Sequence, residues 1–201
     1  GRLYGGITGE ERIAERRRKL VEAGTDLFGS SESGSVRVKD VAVAAGLTER
    51  YFYESFNNLD ALFDEVLERA VHSLEIDVNA ALEDAPQDNL VRMSIALRTA
   101  VASLAGDPRK IRIIFVEALG NGRRASFRRH EFSERGAANF FRWTHAGDDY
   151  ASGSVEARMR VIALAGATSE LMISWGEGFL DVTPDELAEF LVGQYWRTNL
   201  P

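Results

Sequence analysis

The chain has 201 residues, of which 45% are hydrophobic and 27% charged, a composition typical of a globular protein with a sizeable core. It has no cysteine, which excludes disulfides, thiol nucleophiles and cysteine-ligated zinc. No apolar stretch is long enough to span a bilayer, and the first residues lack the apolar core of a signal peptide. The sequence therefore predicts a cytoplasmic protein without a membrane partner.

The net charge of −7 argues against a nucleic-acid partner until it is divided along the chain. Residues 1–56 hold nine basic and nine acidic side chains, so the whole deficit lies in the remaining residues. The neutral segment includes a basic run at residues 16–19, which taken alone is typical of a solvated helix face. This asymmetry predicts that the two parts of the chain have different functions.

Apolar residues recur at helical spacing along the chain, and no window shows the alternation of a strand. The first helix is expected to start after Thr8, an N-cap residue followed by Glu10 and Glu11, and to end near residue 28. Further helices are expected at about 37–45, 48–56, 60–74 with Asp60 as its cap, 87–105, 108–119, 123–145, 154–179 and 183–197. The chain is therefore predicted to be all-α, with about nine helices.

The two short helices at 37–45 and 48–56 have the spacing of a helix-turn-helix, a motif whose second helix enters the major groove of DNA. Leu47, Phe52 and Phe56 fall on one face and would anchor this second helix to a core. The residues left outward are Thr48, Glu49, Arg50, Tyr51 and Tyr53. Hydroxyls suit phosphate and arginine suits guanine, so this face predicts DNA binding. The alternative is a small surface helix with stray aromatic residues.

Residues 17–63 resemble the tetracycline-repressor (TetR) family of transcriptional regulators. The resemblance lies in the stretches LVEAGTDLF at 20–28, VKDVA at 38–42, AGLT at 45–48, FYESF at 52–56 and ALF at 61–63. It implies a three-helix DNA-binding domain with an N-terminal arm at residues 1–57 and a C-terminal ligand-binding and dimerisation domain at 58–201. It also implies a homodimer, usually a repressor, that a small ligand releases from a palindromic operator in double-stranded DNA.

The resemblance assigns roles to the second helix of the motif, with Thr48 and Tyr53 on phosphates and Glu49, Arg50 and Tyr51 facing bases. Half-sites should then lie roughly 34–36 Å apart, one turn of the double helix. With two basic residues from the preceding helix, the predicted DNA-binding residues are Arg37, Lys39, Thr48, Glu49, Arg50, Tyr51 and Tyr53.

Three positions depart from the family pattern. Ser55 stands where a histidine or another large polar residue is usual, Leu59 replaces a common lysine, and Arg37 replaces a capping threonine. The first two remove potential phosphate contacts, whereas Arg37 can supply one. The N-terminal arm with Arg2 would reach the minor groove, and the alternative is an unstructured terminus.

The last two predicted helices are apolar on more than one face, which requires a neighbour beyond their own core. We therefore expect them to form a dimer interface. The residues expected to dominate it are Met159, Ile162, Gly166 and Ile173 on the first helix and Leu187, Phe190, Leu191, Gln194 and Tyr195 on the second.

Large apolar residues on the central and C-terminal helices predict a cavity for a small, largely apolar effector. The predicted ligand-binding residues are Met93, Leu97, Phe115, Trp143, Met172 and Trp175, with Phe132 and Phe140 as further candidates. The candidate polar groups are Arg98, Arg112, Thr168 and Glu170. The alternative is that these residues fill the core.

The sequence contains no nucleophile elbow, phosphate-binding loop or dinucleotide-binding fingerprint, and its three histidines lie far apart. Its carboxylates are not placed on apolar faces, where their pKa values would shift into the range useful for general acid–base catalysis. We expect neither catalysis nor a cofactor or metal. The leading hypothesis is a ligand-responsive DNA-binding regulator, and the alternative is a helical small-molecule-binding protein that has lost specific DNA binding.

Overall fold

The structure, a computed structural model, describes residues 8–30, 36–118, 131, 134–136, 138–139, 142–143 and 155–198. The described helices are α1 Gly9–Phe28, α2 Val38–Ala44, α3 Glu49–Ser55, α4 Leu59–Leu82, α5 Asn89–Gly106, α6 Arg109–Ile111, α7 Val155–Gly176 and α8 Pro184–Thr198. The described residues between 131 and 143 are also helical, and no described residue lies in a strand. The prediction of an all-α chain is confirmed. Within the described ranges, no helix is both long and apolar enough to cross a membrane.

Two capping boxes fix the starts of the first and last helices. At α1, the Glu11 carboxylate accepts from the Thr8 backbone N–H (2.6 Å) and the Thr8 hydroxyl accepts from the Glu11 N–H (3.1 Å). Thr183 and Glu186 form the same pair before α8, at 2.8 and 3.3 Å. The backbone N–H of the cap residue lowers the pKa of each glutamate. Both helices therefore start where their N-cap residues predict.

Helix α4 differs from its prediction at both ends. Its cap is Asn58, whose side-chain oxygen accepts from the Ala61 N–H at 2.9 Å, so the prediction that Asp60 caps this helix is wrong. The helix also runs to Leu82 rather than ending near residue 74. Beyond its end the Arg92 guanidinium donates to the carbonyl of Leu82, the last residue of the helix, at 3.5 Å and to the carbonyl of Ala85 in the following turn at 3.4 Å.

The predicted helix at 108–119 contains a change of helix type. After α6 the chain continues as a π-helix, Arg112–Glu117, and the Ala118 N–H donates to the Ile113 carbonyl five residues earlier at 3.2 Å. In a π-helix each N–H bonds to the carbonyl five residues earlier rather than four. The 3.6-residue period of apolar residues therefore does not predict it. Phe115, which the π-helix carries, is buried.

The chain divides into two compact units, residues 1–70 and 71–201, with the boundary inside α4. The sequence places the domain boundary earlier, at 57/58. The difference arises because the first half of α4 packs against α1. A Cβ on Gly24 would lie 3.1 Å from Leu62 and 3.2 Å from Val66, and the rings of Phe28 and Phe63 meet edge to face at 5.0 Å. The assignment of functions to the two parts stays a prediction.

Arg17 ties three helices of the first unit together. Its guanidinium donates to the carbonyl of Ser55 at the end of α3, pairs with Glu65 on α4, and lies 4.1 Å from the ring centroid of Phe56. By contrast, Arg18 pairs with glutamates of its own helix on the surface. The basic run at 16–19 is therefore only in part the solvated face that its pattern indicates.

In the second unit, α5 packs against α8, and the core includes Val78, Leu82 and Ala96 beside Trp143. A polar network joins three helices at its edge, where the Lys110 ammonium donates to Ser73 on α4 (3.0 Å) and Ser103 on α5 (3.2 Å). These hydrogen bonds link α6 to the two helices, α4 and α5, that contribute to the cavity described below.

Candidate nucleic-acid interface and ligand cavity

The turn between α2 and α3 is a Schellman motif. Gly46 has a φ of +65°, the left-handed conformation that favours glycine. The Leu47 N–H donates to the Ala42 carbonyl (2.8 Å) and the Gly46 N–H donates to the Val43 carbonyl (3.0 Å). This pattern satisfies the last carbonyls of α2 and sets the direction in which the chain enters α3. The two helices thus form a helix-turn-helix.

Helix α3 is divided into a buried side and an exposed polar side. Phe52 is fully buried, and its ring centroid lies 5.8 Å from that of Phe56. On the other side Thr48, Glu49, Arg50 and Tyr53 are exposed, as the helical spacing predicts. Thr48 is the N-cap residue, but its hydroxyl makes no capping hydrogen bond. The hydroxyl is therefore available to donate a hydrogen bond to a phosphate oxygen.

Tyr51 and Arg50 are held by neighbouring side chains. Tyr51 is half-buried rather than fully outward, because the Arg16 guanidinium of α1 lies 4.5 Å from its ring centroid. Arg50 keeps 85% of its side chain exposed, while its Nε donates to Glu54 one turn later at 3.1 Å. An exposed pair of this kind is weak, so the guanidinium can exchange Glu54 for another acceptor.

The start of α2 adds two exposed basic side chains, Arg37 and Lys39, to the helix-turn-helix. The Asp40 carboxylate accepts from the Arg37 backbone N–H at 3.0 Å, which is one half of a capping box. A guanidinium has no acceptor, so Arg37 cannot complete the box as a threonine would. Asp40, Glu49 and Glu54 balance the basic residues of the motif in number, and the local charge is close to zero.

A cavity of about 430 Å³ lies within the second unit. Residues of α4, α5, the π-helix, the 131–143 segment, α7 and α8 surround it. Its apolar wall is formed by Val71, Leu74, Leu97, Phe115, Trp143, Ile162, Ala165 and Ile173. This volume and this mainly apolar wall are typical of a pocket for a small organic molecule.

One side of the cavity carries a paired charge. The Arg135 guanidinium donates through Nε (2.7 Å) and Nη2 (2.8 Å) to the two carboxylate oxygens of Glu75, and the Asn139 amide donates to the same carboxylate at 2.6 Å. The hydrogen bond from Arg135 lowers the pKa of Glu75, although burial of the carboxylate opposes this shift. Glu75 is therefore ionised and held by both partners.

A second polar group in the wall consists of two hydroxyls. The Thr168 Oγ1 and the Tyr195 Oη lie 3.3 Å apart, within hydrogen-bond distance. Burial raises the pKa of Tyr195, so its phenol stays protonated near neutral pH. No three His, Asp or Glu side chains among the described residues are grouped to hold a metal ion.

Comparison with known proteins finds no matching family model and no matching curated protein. Solved structures do match. A fatty acid degradation regulator, FadR, from Bacillus halodurans has a TM-score of 0.73 at 14% identity, with 89% of this chain and 93% of that chain covered. A TetR-like transcriptional regulator from Rhodococcus sp. RHA1 has a TM-score of 0.66 at 17% identity, covering 98% and 97%. This chain has the TetR fold.

A third TetR-fold neighbour is a transcriptional regulator described as TerR/AcrR family from Aquifex aeolicus VF5, with a TM-score of 0.64 at 16% identity, covering 90% of this chain and 97% of that chain.

Two departures from the TetR pattern can be located in the structure. Ser55 is half-buried at the end of α3, where its carbonyl accepts from Arg17, and Leu59 is the half-buried first residue of α4. Neither position carries a basic side chain.

Three of the six predicted ligand-binding residues of this TetR fold, Leu97, Phe115 and Trp143, line the cavity. The structure places the other three elsewhere. Met93 and Met172 are buried in the core and are not part of the cavity wall. The Trp175 indole donates to the Val182 carbonyl at 3.0 Å, beyond the end of α7.

Of the candidate polar groups, Thr168 and Glu170 belong to the wall, whereas Arg98 does not and Arg112 pairs with Glu117 (3.2 Å) and Glu177 (3.5 Å). Phe132, Phe140 and the N-terminal arm lie outside the described residues. The sequence does not predict the cluster at Glu75, because Arg135 and Asn139 follow it by 60 and 64 residues. Helical spacing cannot predict contacts between residues so far apart in the chain. Glu75 is thus a carboxylate beside an apolar wall, where the sequence predicts none.

Proposed function

We propose that the chain is a homodimeric transcriptional regulator, a repressor that binds a palindromic operator and is released by a small, largely apolar ligand. The observation that carries the proposal is the exposed polar side of α3, held at a fixed angle by the turn at Gly46 within a TetR fold. The proteins to which the chain is similar are themselves described as regulators, and those from Rhodococcus and Aquifex as transcriptional regulators. No catalytic group is part of this proposal.

The exposed residues divide naturally between base reading and phosphate binding. Arg50 leaves its weak pair with Glu54 to bond a guanine edge, while Thr48 and Tyr53 supply hydroxyls to phosphates. Arg37 and Lys39 add charge on α2. Because the local charge is close to zero, few counterions are displaced, and nonspecific binding should be weak with a shallow dependence on salt.

Arg50→Ala is expected to lower affinity for the selected operator about tenfold to a hundredfold with little effect on a scrambled duplex, because it removes a base contact. Tyr53→Phe should weaken binding to both duplexes, because it removes a phosphate contact. Fluorescence anisotropy with an operator selected from random duplexes measures both. Arg18→Ala is the matched control, since it removes the same charge from the surface of α1.

Equal losses on operator and scrambled DNA for Arg50→Ala would refute its base-reading role. If the unmodified protein binds no duplex even at low salt, the alternative of a ligand-binding protein without specific DNA binding gains support instead.

The dimer is proposed from apolar side chains that α7 and α8 leave exposed. Met159, Ile162, Phe190 and Trp196 are between 44% and 58% exposed. Leu187, Leu191 and Tyr195, which the sequence places in the interface, are buried within the chain's own core. The interface is therefore expected to use the outward sides of these helices, since exposed apolar groups of this size mark association surfaces.

Phe190→Glu is expected to convert a dimer of 22.2 kDa chains into a monomer, because it places a charge in an apolar contact. Light scattering at micromolar concentration measures the change. Ile13→Glu on α1 is the control, because Ile13 is 53% exposed against 47% for Phe190 and lies outside the proposed interface. A stable monomer of the unmodified protein at this concentration would overturn the proposal.

Release by ligand is expected to act through α4. This helix begins in the first unit, ends in the second, and contributes Val71, Leu74 and Glu75 to the cavity wall. A ligand shifts the equilibrium only if it binds the DNA-free conformation more tightly than the DNA-bound one. The ligand must therefore contact side chains whose positions change with α4.

A further inference from the structure

We propose that the cavity selects uncharged ligands, with a mainly apolar body and a hydroxyl or N–H group that donates to the side-chain oxygen of Asn139. The proposal rests on the proposed function only in giving this ligand a regulatory effect. Its selectivity follows from the charges and hydrogen bonds of the cavity wall.

Anionic ligands lack a cation in the described part of the wall. The one basic side chain there is Arg135, and both of its bonds to Glu75 are already formed, at 2.7 and 2.8 Å. A ligand carboxylate would have to displace Glu75, whose side chain is only 15% exposed. Leaving that carboxylate buried without its partner is strongly unfavourable.

Cationic ligands meet the opposite difficulty. The Glu75 carboxylate already accepts three hydrogen bonds, two from Arg135 and one from Asn139. The other acidic group of the wall, Glu170, is exposed, and an ion pair with an exposed carboxylate is weak. A ligand charge of either sign therefore loses its hydration without gaining a buried, unpaired counter-ion in the described part of the wall.

Asn139 contributes a buried polar atom that remains to be satisfied among the described residues. A carboxylate only accepts, so the NH₂ of Asn139 must be the group that faces Glu75, which identifies its other atom as the oxygen. The side chain is 5% exposed, and no donor among the described residues bonds to this oxygen. A buried acceptor without a donor is costly, so a ligand O–H or N–H gains a hydrogen bond there.

Apart from Glu170, the hydroxyl pair of Thr168 and Tyr195, and the Ser169 hydroxyl, which donates to the Ala165 carbonyl at 2.9 Å, the rest of the described wall offers apolar contact. Leu74, Leu97 and Phe115 present no polar side-chain atom. The indole N–H of Trp143 donates to Asn79 at 2.8 Å, so the ring contributes its apolar surface. The ligand body is accordingly hydrocarbon-like, with its one donor near Asn139.

Four probes with matched chains test this selectivity by isothermal titration calorimetry at neutral pH: octan-1-ol, octanoate, octyltrimethylammonium and 1-methoxyheptane. Octan-1-ol is expected to bind about tenfold or more tightly than either ion, and about tenfold more tightly than the ether, which lacks the donor. Binding of octanoate or of the ammonium ion as tightly as the alcohol would overturn the proposal, and so would the failure of every probe to bind.

Two variants test the two parts of the selectivity, the exclusion of anions and the preference for a hydrogen-bond donor. Glu75→Gln removes the charge that holds Arg135, so octanoate affinity should rise about tenfold or more. Asn139→Leu leaves the Glu75–Arg135 pair in place and should abolish the preference for the alcohol over the ether. Glu83→Gln is the matched control, because Glu83 is exposed and not part of this wall. If Glu75→Gln fails to fold, Asn139→Leu decides the question, and an unchanged preference in that variant overturns the proposal.

A mobility shift with the same probes separates this inference from the regulatory function. If octan-1-ol binds in calorimetry but leaves the protein–DNA complex intact, release by ligand is wrong and the selectivity stands. If DNA binds and no probe does, the selectivity is wrong and the DNA-binding function stands.

Discussion

Phe52→Ala is expected to lower the free energy of unfolding of the first unit by about 3–5 kcal/mol, a large fraction of the stability of a small domain. Phe52 has no exposed surface and sits on the inner side of α3. The truncation removes its contact with Phe56 and leaves a cavity that the short helix cannot close. The proposed specific DNA binding should be lost with the folded motif.

Denaturant unfolding followed by far-UV circular dichroism measures this effect. All three tryptophans lie at positions 143, 175 and 196, so tryptophan fluorescence follows the second unit alone. Tyr53→Phe is the control on the adjacent residue, which is 57% exposed, and should change stability by less than about 0.5 kcal/mol. Equal stability of the two variants would show that Phe52 does not anchor α3.

Gly176→Ala is expected to destabilise the second unit by about 1–3 kcal/mol, the opposite of the usual gain when alanine replaces a helical glycine. A Cβ at residue 176 would lie 2.5 Å from the Cγ2 and 3.3 Å from the Cβ of Ile111. Ile111 is buried and β-branched, so it cannot rotate its methyl group away without strain. One of the two helices must move.

Tryptophan fluorescence during denaturant unfolding reports this change, since Trp175 is adjacent. Gly106→Ala at the end of α5 is the control, because nothing lies within 4 Å of its added Cβ. In an Ile111→Ala background, Gly176→Ala should lower the free energy of unfolding only slightly. The difference between its effects in the two backgrounds is the coupling energy of a double-mutant cycle. An unchanged cost in that background would assign the effect to backbone conformation rather than to this contact.

Local signals in the sequence were sufficient for most of the fold. The capping boxes at Thr8 and Thr183 and the helical period that turns Phe52 inward act within a few residues, so a single sequence contains them. The start of α4 was misplaced because Asn58 and Asp60 are both good caps, and only the hydrogen bond to Ala61 distinguishes them. The π-helix could not be predicted because its wider turn does not follow the 3.6-residue period of an α-helix.

Contacts between distant helices could not be predicted. Tyr51 is half-buried by Arg16, a residue of another helix. Leu187 and Tyr195 were assigned to a dimer because a helix that is apolar on two sides does not reveal which side meets its own chain. The cavity wall depends on the same kind of information, and the pairing of Glu75 with Arg135 joins residues 60 positions apart.

The three contacts of Arg17 have a consequence for how this sequence can vary among relatives. A planar guanidinium can donate to a carbonyl, pair with a carboxylate and stack on a ring at the same time, whereas a lysine ammonium is a single point of charge. Arg18 and Lys19 pair only with glutamates of their own helix, so these two positions need only remain hydrophilic. Position 17 should therefore keep arginine while positions 18 and 19 vary, so that the arginine at position 17 is a marker of the folded domain.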